Sequence, residues 1–192
     1  MNPTMLFDPL PKIETPRCVI RPATCDDLQL IETAVEDPKF PRRLPLSEMH
    51  RQGSLSKWLA RMCHPGGTGT SLLWSVDLRS GDICIGQIGL SARQEVGDWA
   101  LSFWIAPRLW GNSLSSEVVA ALLEKAFLQD KVTQVWAATA VWNKPSIALL
   151  LRLGFLQLAG ARVGYVVDDE PQEVLEFVLP KRVWVNRAKK GA

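Results

Sequence analysis

The sequence lacks the features that mark disulfide-stapled, zinc-binding and membrane-spanning proteins. It has four cysteines without a paired short spacing and only two histidines, so we expect neither a disulfide framework nor a metal site. No apolar run approaches the ~20 residues that cross a bilayer, and the first residues lack the basic and long apolar segments of a signal peptide. We therefore expect a cytoplasmic protein with reduced thiols.

The chain also has little net charge. Its formal net charge of +2 is too small to indicate a nucleic-acid or membrane partner. A length of 192 residues with 47% apolar and 22% charged residues is ordinary for one globular domain. We expect an irregular, proline-rich arm over residues 1–16, a single domain over 17–180 and a basic tail over 181–192. A solvated tail is expected, and contact with RNA or a ribosome is the alternative.

The hydrophobic periodicity predicts an α+β fold with the element order β-α-α-β-β-β-α-β-α-β-β. This order predicts a mixed, mostly antiparallel sheet of six to seven strands with helices on both faces. The predicted helices start at Thr24 and cover about 54–62, 113–129 and 143–153. The predicted strands cover about 18–22, 72–78, 83–92, 99–106, 132–141, 161–167 and 173–179.

Two segments predict a site for an anionic cofactor. Residues 106–117 run from an apolar strand through a tight polar turn into a helix, and residues 143–155 form a second helix that ends on Gly154 and Phe155. A helix N-terminus presents unpaired backbone N–H groups and the positive end of the helix dipole. An anion is therefore expected where the first helix begins, although Ser113 and Ser115 are also ordinary N-cap residues.

The two segments resemble the cofactor motifs of the GNAT N-acetyltransferases, and among them the ribosomal-protein-alanine acetyltransferases. That branch tends to read Trp-Gly-x-Gly-x-Ala-x-Glu-Ala at its first motif, where this chain has Trp110, Gly111 and Glu117 but Ser113 and Ser115 in place of the second Gly and the Ala. The second motif, Asn-x-x-Ser followed by Leu-Gly-Phe, matches in full with Asn143, Ser146, Leu153, Gly154 and Phe155. The order of elements agrees over nearly the whole chain.

The resemblance implies the GNAT fold and an enzyme that transfers an acetyl group from acetyl-CoA to a primary amine, such as a protein N-terminus, with no metal. A polyamine, an aminoglycoside and an amino acid are the other acceptors. It places the pantetheine arm against Trp104, Ile105 and Ala106, where a backbone N–H can polarise the thioester carbonyl. It places Asn143 on the arm and Ser146 near the thiol. The residues implied along the pyrophosphate are Arg108, Trp110, Gly111, Asn112, Ser113, Leu114 and Ser115.

The resemblance does not decide which residues act as general base and general acid. Many relatives carry Glu at the position of Ala100, which cannot act as a base. Asp98 lies two residues earlier, so it points to the same face of the strand and is the candidate base, either directly or through a water. Tyr165 and Ser146 are the candidates for the general acid. An acyl-CoA-binding sensor or scaffold of the same fold, with little chemistry, is the alternative function.

Overall fold

A computed structural model describes residues 6–7, 10–63 and 70–188. Its centre is a single eight-stranded sheet in the order β1-β2-β3-β4-β5-β6-β8-β7. All neighbouring strands are antiparallel except β5 and β6, which are parallel. The strands are β1 Ile13–Glu14, β2 Cys18–Pro22, β3 Ser71–Leu78, β4 Gly86–Ala92, β5 Asp98–Ile105, β6 Gln134–Ala140, β7 Leu156–Val167 and β8 Glu170–Pro180.

Helices cover both faces of this sheet. The larger apolar core packs α4 and α5 against one face, with Leu122, Leu150 and Phe177 fully buried. The smaller core lies on the opposite face under α1, α2 and α3 and includes Phe40 and Trp104. The helices are α1 Leu28–Glu36, α2 Pro45–Arg51, α3 Leu55–Cys63, α4 Leu114–Phe127, α5 Lys144–Arg152 and α6 Lys181–Ala188. No helix within the described ranges is long and apolar enough to cross a membrane.

The α+β prediction is confirmed, and the structure adds elements that it missed. The sheet has eight strands rather than six to seven, because residues of the expected irregular arm pair with β2, Ile13 opposite Ile20. An extra helix, α2, begins at Pro45, between the predicted helix that starts at Thr24 and the one over about 54–62. Proline is well tolerated in the first turn of a helix, because the N–H that it lacks has no partner there.

The basic C-terminal segment also differs from the expected solvated tail. Residues Lys181–Ala188 form α6, and the ring of Trp184 lies 6.2 Å from that of Phe127 on α4. Aromatic contact of this kind holds the helix against the larger core. The last four residues of the predicted tail lie outside the described ranges.

A buried ion pair joins the first strands to the helices of the smaller core. The Arg21 guanidinium donates to both carboxylate oxygens of Asp27, at 3.1 and 2.6 Å, and to Asp77 at 2.8 Å. The Thr24 backbone N–H and the Ser75 hydroxyl also donate to Asp27, at 2.9 and 2.7 Å. Burial alone would raise the pKa of the Asp27 carboxyl. The hydrogen bonds from Arg21, Thr24 and Ser75 outweigh burial, so the pKa lies below its ordinary value.

We expect Asp27→Asn to lower the free energy of unfolding at neutral pH by about 2–4 kcal/mol, since it leaves Arg21 with one carboxylate instead of two. A carboxyl whose pKa is lowered in the folded state contributes stability above its unfolded pKa and loses it as the pH falls through the folded pKa. The difference between wild type and variant should therefore shrink as the pH falls from about 5 to about 2. Urea unfolding at several pH values measures it, and a difference independent of pH would contradict the ion pair.

Candidate active site

The parallel strands β5 and β6 are paired along only part of their length. Asp98 to Leu101 pair with Gln134 to Ala137, and beyond Leu101 and Ala137 the two strands are not paired with each other. β5 continues to Ile105 and β6 to Ala140, so their C-terminal ends flank an open cleft in the sheet. The turn of the first motif follows β5 directly, and Asn143 follows β6.

Backbone alternation decides which groups of β5 face the cleft. The Ala106 N–H donates to the Ile85 carbonyl at 2.8 Å, and the Asp98 carbonyl accepts from the Arg93 N–H at 2.9 Å, both beside β4. Because successive residues direct their N–H and C=O groups to opposite edges of a strand, Phe103 and Ile105 face the cleft. This corrects the predicted set. The backbone groups of Trp104 and Ala106 face β4, and only Ile105 keeps its predicted place.

Asn143 caps the helix at the other side of the cleft. Its side-chain oxygen accepts from the Ser146 N–H at 3.4 Å, which fixes the first turn of α5. The Asn143 amide nitrogen and the Ser146 hydroxyl have no hydrogen-bond partner among the described residues. Both predicted residues therefore lie at the C-terminal end of β6 with a polar group free.

The turn between β5 and α4 presents a row of free donors. Gly111 has a φ of 81° and Ser113 a φ of 59°, both in the left-handed region. Ser113 is the N-cap of α4, yet its side chain makes no capping hydrogen bond. As a result, the six consecutive N–H groups from Gly111 to Ser116 donate to no described residue. Unpaired N–H groups in a left-handed turn at a helix N-terminus form an anion-binding concavity.

Arg17, which the sequence did not single out, supports this turn from outside. Its Nη1 donates to the Asn112 carbonyl at 2.8 Å, and its Nε and backbone N–H donate to Glu117 at 2.6 and 2.8 Å. The Thr15 hydroxyl adds a bond of 2.6 Å to the same carboxylate. Burial alone would raise the pKa of Glu117, but these hydrogen bonds lower it below its ordinary value. The ionised Glu117 is thus neutralised by Arg17 beside the turn.

Two more arginines surround the start of α4. Arg152 of α5 donates to the Ser116 hydroxyl at 2.5 Å, so its positive charge lies over the first turn of α4. Arg108 pairs with Asp82 at 2.6 Å and is half-exposed. The Trp110 indole donates to the Ile105 carbonyl at 2.7 Å, which anchors the turn to the end of β5. The charges and the free N–H groups together suit an anion with several phosphates.

Asp98 lies at the closed end of the cleft, where its carboxylate is hydrogen-bonded, and its role as a base stays a prediction. Its carboxylate is buried at the closed end of the cleft and accepts from Thr133 at 3.2 Å, Gln134 at 2.8 Å and the Trp136 indole at 2.9 Å. All three donors belong to β6 or to the residue before it. These three donors occupy most of the acceptor positions of the carboxylate, and the hydrogen bonds fasten β5 to β6.

Tyr165 lies on the sheet face that carries Trp104. Paired residues share a face of the sheet, as do residues an even number apart on one strand. Trp104 therefore shares a face with Ala100, which pairs with Trp136 of β6. Ala140, four residues further along β6, pairs with Val174 of β8, and Gln172 of β8 pairs with Tyr165.

The Tyr165 hydroxyl is buried without a hydrogen-bond partner among the described residues. Burial raises its pKa above the ordinary value, so the phenol keeps its proton at neutral pH. A buried hydroxyl without a partner is costly unless a ligand completes it.

The face with Tyr165 carries one further carboxylate near the cleft. Glu176 pairs with Ala138 across β6 and β8 and accepts from Arg162 at 2.7 Å. The hydrogen bond from Arg162 lowers the pKa of Glu176. Neither Glu176 nor Asp98 is thus a free carboxylate.

Sequence comparison agrees with this geometry. Residues 17–156 match the family model described as an acetyltransferase (GNAT) domain. YdaF of Bacillus subtilis, whose assignment as a ribosomal N-acetyltransferase is provisional, is 27% identical over 178 residues, which cover 84% of this chain and 97% of YdaF.

Solved structures show the same fold. RimL, a ribosomal L7/L12 α-N-protein acetyltransferase solved with coenzyme A, superposes with a TM-score of 0.70 at 13% identity over 88% of this chain and 98% of RimL. Spermidine N-acetyltransferase of Vibrio cholerae, solved with CoA and spermine, gives 0.71 at 16% identity over 88% and 98%. The family match extends from the strand after the arm to the end of the Asn143 helix, and this acetyl-transferring enzyme belongs to the GNAT family of acetyltransferases.

Proposed function

We propose that the protein transfers the acetyl group of acetyl-CoA to a primary amine, in a complex that holds both substrates at the β5–β6 cleft. The six free N–H groups from Gly111 to Ser116 carry this proposal. Unpaired N–H groups at a helix N-terminus bind phosphate, and CoA carries a diphosphate. Further groups of the chain suit the amide arm of CoA. The cleft offers the N–H groups of Phe103 and Ile105 to an extended amide chain, and Asn143 offers its amide nitrogen.

Bound acetyl-CoA supplies an acetyl thioester, and the residues around the cleft supply position and a proton. The Ile105 N–H faces the cleft and can polarise a carbonyl there. The Tyr165 hydroxyl holds a proton at neutral pH on the sheet face of Trp104, which suits it as the general acid for a departing thiolate. Ser146 is the second candidate for that role, since its hydroxyl is free at the cleft.

For the acceptor we propose a protein N-terminal amine. YdaF is named for ribosomal acetylation and RimL acts on a ribosomal protein. The spermidine enzyme of the same fold takes a polyamine, which makes a polyamine the second acceptor to test.

The alternative function, a weakly active acyl-CoA-binding scaffold, rests on a specific observation. Asp98 and Glu176 are both held by donors, so the face around the cleft provides no free carboxylate among the described residues to deprotonate an ammonium. In the enzyme proposed here the amine loses its proton to bulk solvent before it attacks, since an α-amino group with a pKa of about 8 is partly neutral at physiological pH. Turnover with an N-terminal peptide or spermidine decides between the two functions.

Thermal unfolding with acetyl-CoA tests cofactor binding. At about 100 times its dissociation constant a ligand stabilises by about 2.7 kcal/mol, which should raise the Tm by roughly 5–10 °C. CoA should act likewise and ATP should not. Gly111→Trp should abolish the shift, because it fills the turn at a φ of 81°. Gly160→Trp is the matched control, with the same φ of 81° and nothing within 4 Å. Equal shifts in both variants would contradict binding at this turn.

Ser113 tests whether a side chain replaces the glycine of the motif. If its hydroxyl donates to a phosphate oxygen, Ser113→Ala should weaken acetyl-CoA binding about 10-fold or more, the usual value of a hydrogen bond to a charged group. Ser113→Gly should weaken it less, because glycine adopts the φ of 59° without strain. Titration calorimetry measures both. Unchanged affinity in Ser113→Ala would mean that the backbone donors suffice.

Tyr165→Phe tests the proton donor. We expect kcat to fall about 100-fold, the lower range for a general acid, with the dissociation constant for acetyl-CoA unchanged. Because the hydroxyl is buried without a partner among the described residues, its removal should leave the Tm the same or higher. A wild-type kcat would transfer the role to Ser146. A clearly lower Tm would mean that the hydroxyl has a structural partner.

A further inference from the structure

A chain of buried polar groups runs from the Arg21–Asp27 ion pair to Trp104 on β5. The Ser75 hydroxyl donates to Asp27 at 2.7 Å, and the Gln87 amide nitrogen donates to Ser75 at 3.4 Å. The Gln87 oxygen then accepts from the Trp104 indole at 3.3 Å. Ser75 and Gln87 are 0% and 1% exposed, so these contacts form away from water.

This chain crosses the sheet under the smaller apolar core. Ser75 on β3 is the cross-strand partner of Gln87 on β4, and Gln87 is also the partner of Trp104 on β5. Cross-strand partners share a face, so the three side chains form a row perpendicular to the strands. A buried polar row of this kind is destabilising unless every member is satisfied, which makes its geometry strict.

The row fixes the plane of the Trp104 ring. The indole N–H is directed at Gln87, and Phe40 packs against the ring edge-on, with centroids 5.9 Å apart at 81°. These two contacts approach the ring from different directions and together restrict its rotation.

Trp104 lies between Phe103 and Ile105, the two residues whose backbone groups face the cleft. Its side chain is on the same sheet face as Tyr165, the proposed proton donor, and it belongs to the part of β5 that has no partner on β6. A tilt of this ring would change the surface beside the open end of β5.

We propose that Gln87 is a positioning residue for acetyl transfer: held by Ser75 and Asp27, it orients Trp104, which aligns the acetyl group beside the open end of β5. The inference rests on the proposed function. It assigns Gln87 no contact with either substrate, so its effect must pass through the Trp104 ring.

A double-mutant cycle tests this dependence. Gln87→Met keeps the length and the apolar packing of the side chain but removes both hydrogen bonds. We expect it to lower kcat about 10-fold, since small misplacements at a reacting centre have effects of this size or larger. The dissociation constant for CoA should change less than about 2-fold, because Gln87 makes no hydrogen bond to the turn of residues 111–116 that would hold the diphosphate. In a Trp104→Phe background, which has no indole N–H, Gln87→Met should change kcat less than about 2-fold.

Ser75→Ala provides a second variant should Gln87→Met fold poorly. It breaks the row one step further away, so we expect the same direction of change, about 3-fold in kcat, again absent in the Trp104→Phe background. Equal losses of kcat with and without the Trp104→Phe substitution, or a wild-type kcat in Gln87→Met, would overturn the proposal. Wild-type protein that binds CoA but acetylates neither an N-terminal peptide nor spermidine would instead overturn the proposed function.

Discussion

One buried carboxylate determines where the central sheet opens. Asp98, the first residue of β5, accepts hydrogen bonds from Thr133, Gln134 and Trp136 and so fastens the start of β5 to the start of β6. Parallel pairing ends three residues further on, at Leu101. The turn that leads into α4 follows one strand and the Asn143 cap follows the other, so the spacing between these motifs depends on the point at which the strands separate.

Local features of the site could be predicted from the sequence, because they depend on nearby residues. The strand, the turn at Trp110–Gly111 and the start of α4 follow one another within a dozen residues, and Asn143 caps the helix that it precedes. The sequence also singled out Tyr165, whose hydroxyl is buried without a partner among the described residues, and its role as a proton donor stays a prediction. A helix N-terminus has the same unpaired N–H groups wherever it lies in a fold.

The rest of the site depends on distant partners. Whether Phe103 or Trp104 presents its backbone to the cleft depends on the register with β4, which one strand's sequence does not contain. The role of Asp98 depends on donors 35 to 38 residues away. Arg17 binds Glu117 at a separation of 100 residues, and no local pattern marks that contact. Sequence periodicity identifies faces and caps, whereas pairing and long-range ion pairs emerge only from the folded chain.

The left-handed Ser113 shows how the N-terminal segment supports the turn before α4. A serine at a φ of 59° is less stable than a glycine there, and such strain persists only where the surroundings enforce it. Arg17 provides that enforcement, since it holds the Asn112 carbonyl on one side of Ser113 and Glu117, in the first turn of α4, on the other. The same arginine begins the segment that leads into β2, and the Thr15 hydroxyl adds to its grip on Glu117. The turn is thereby shaped before a ligand arrives, and the N–H groups that it exposes need not be reorganised on binding.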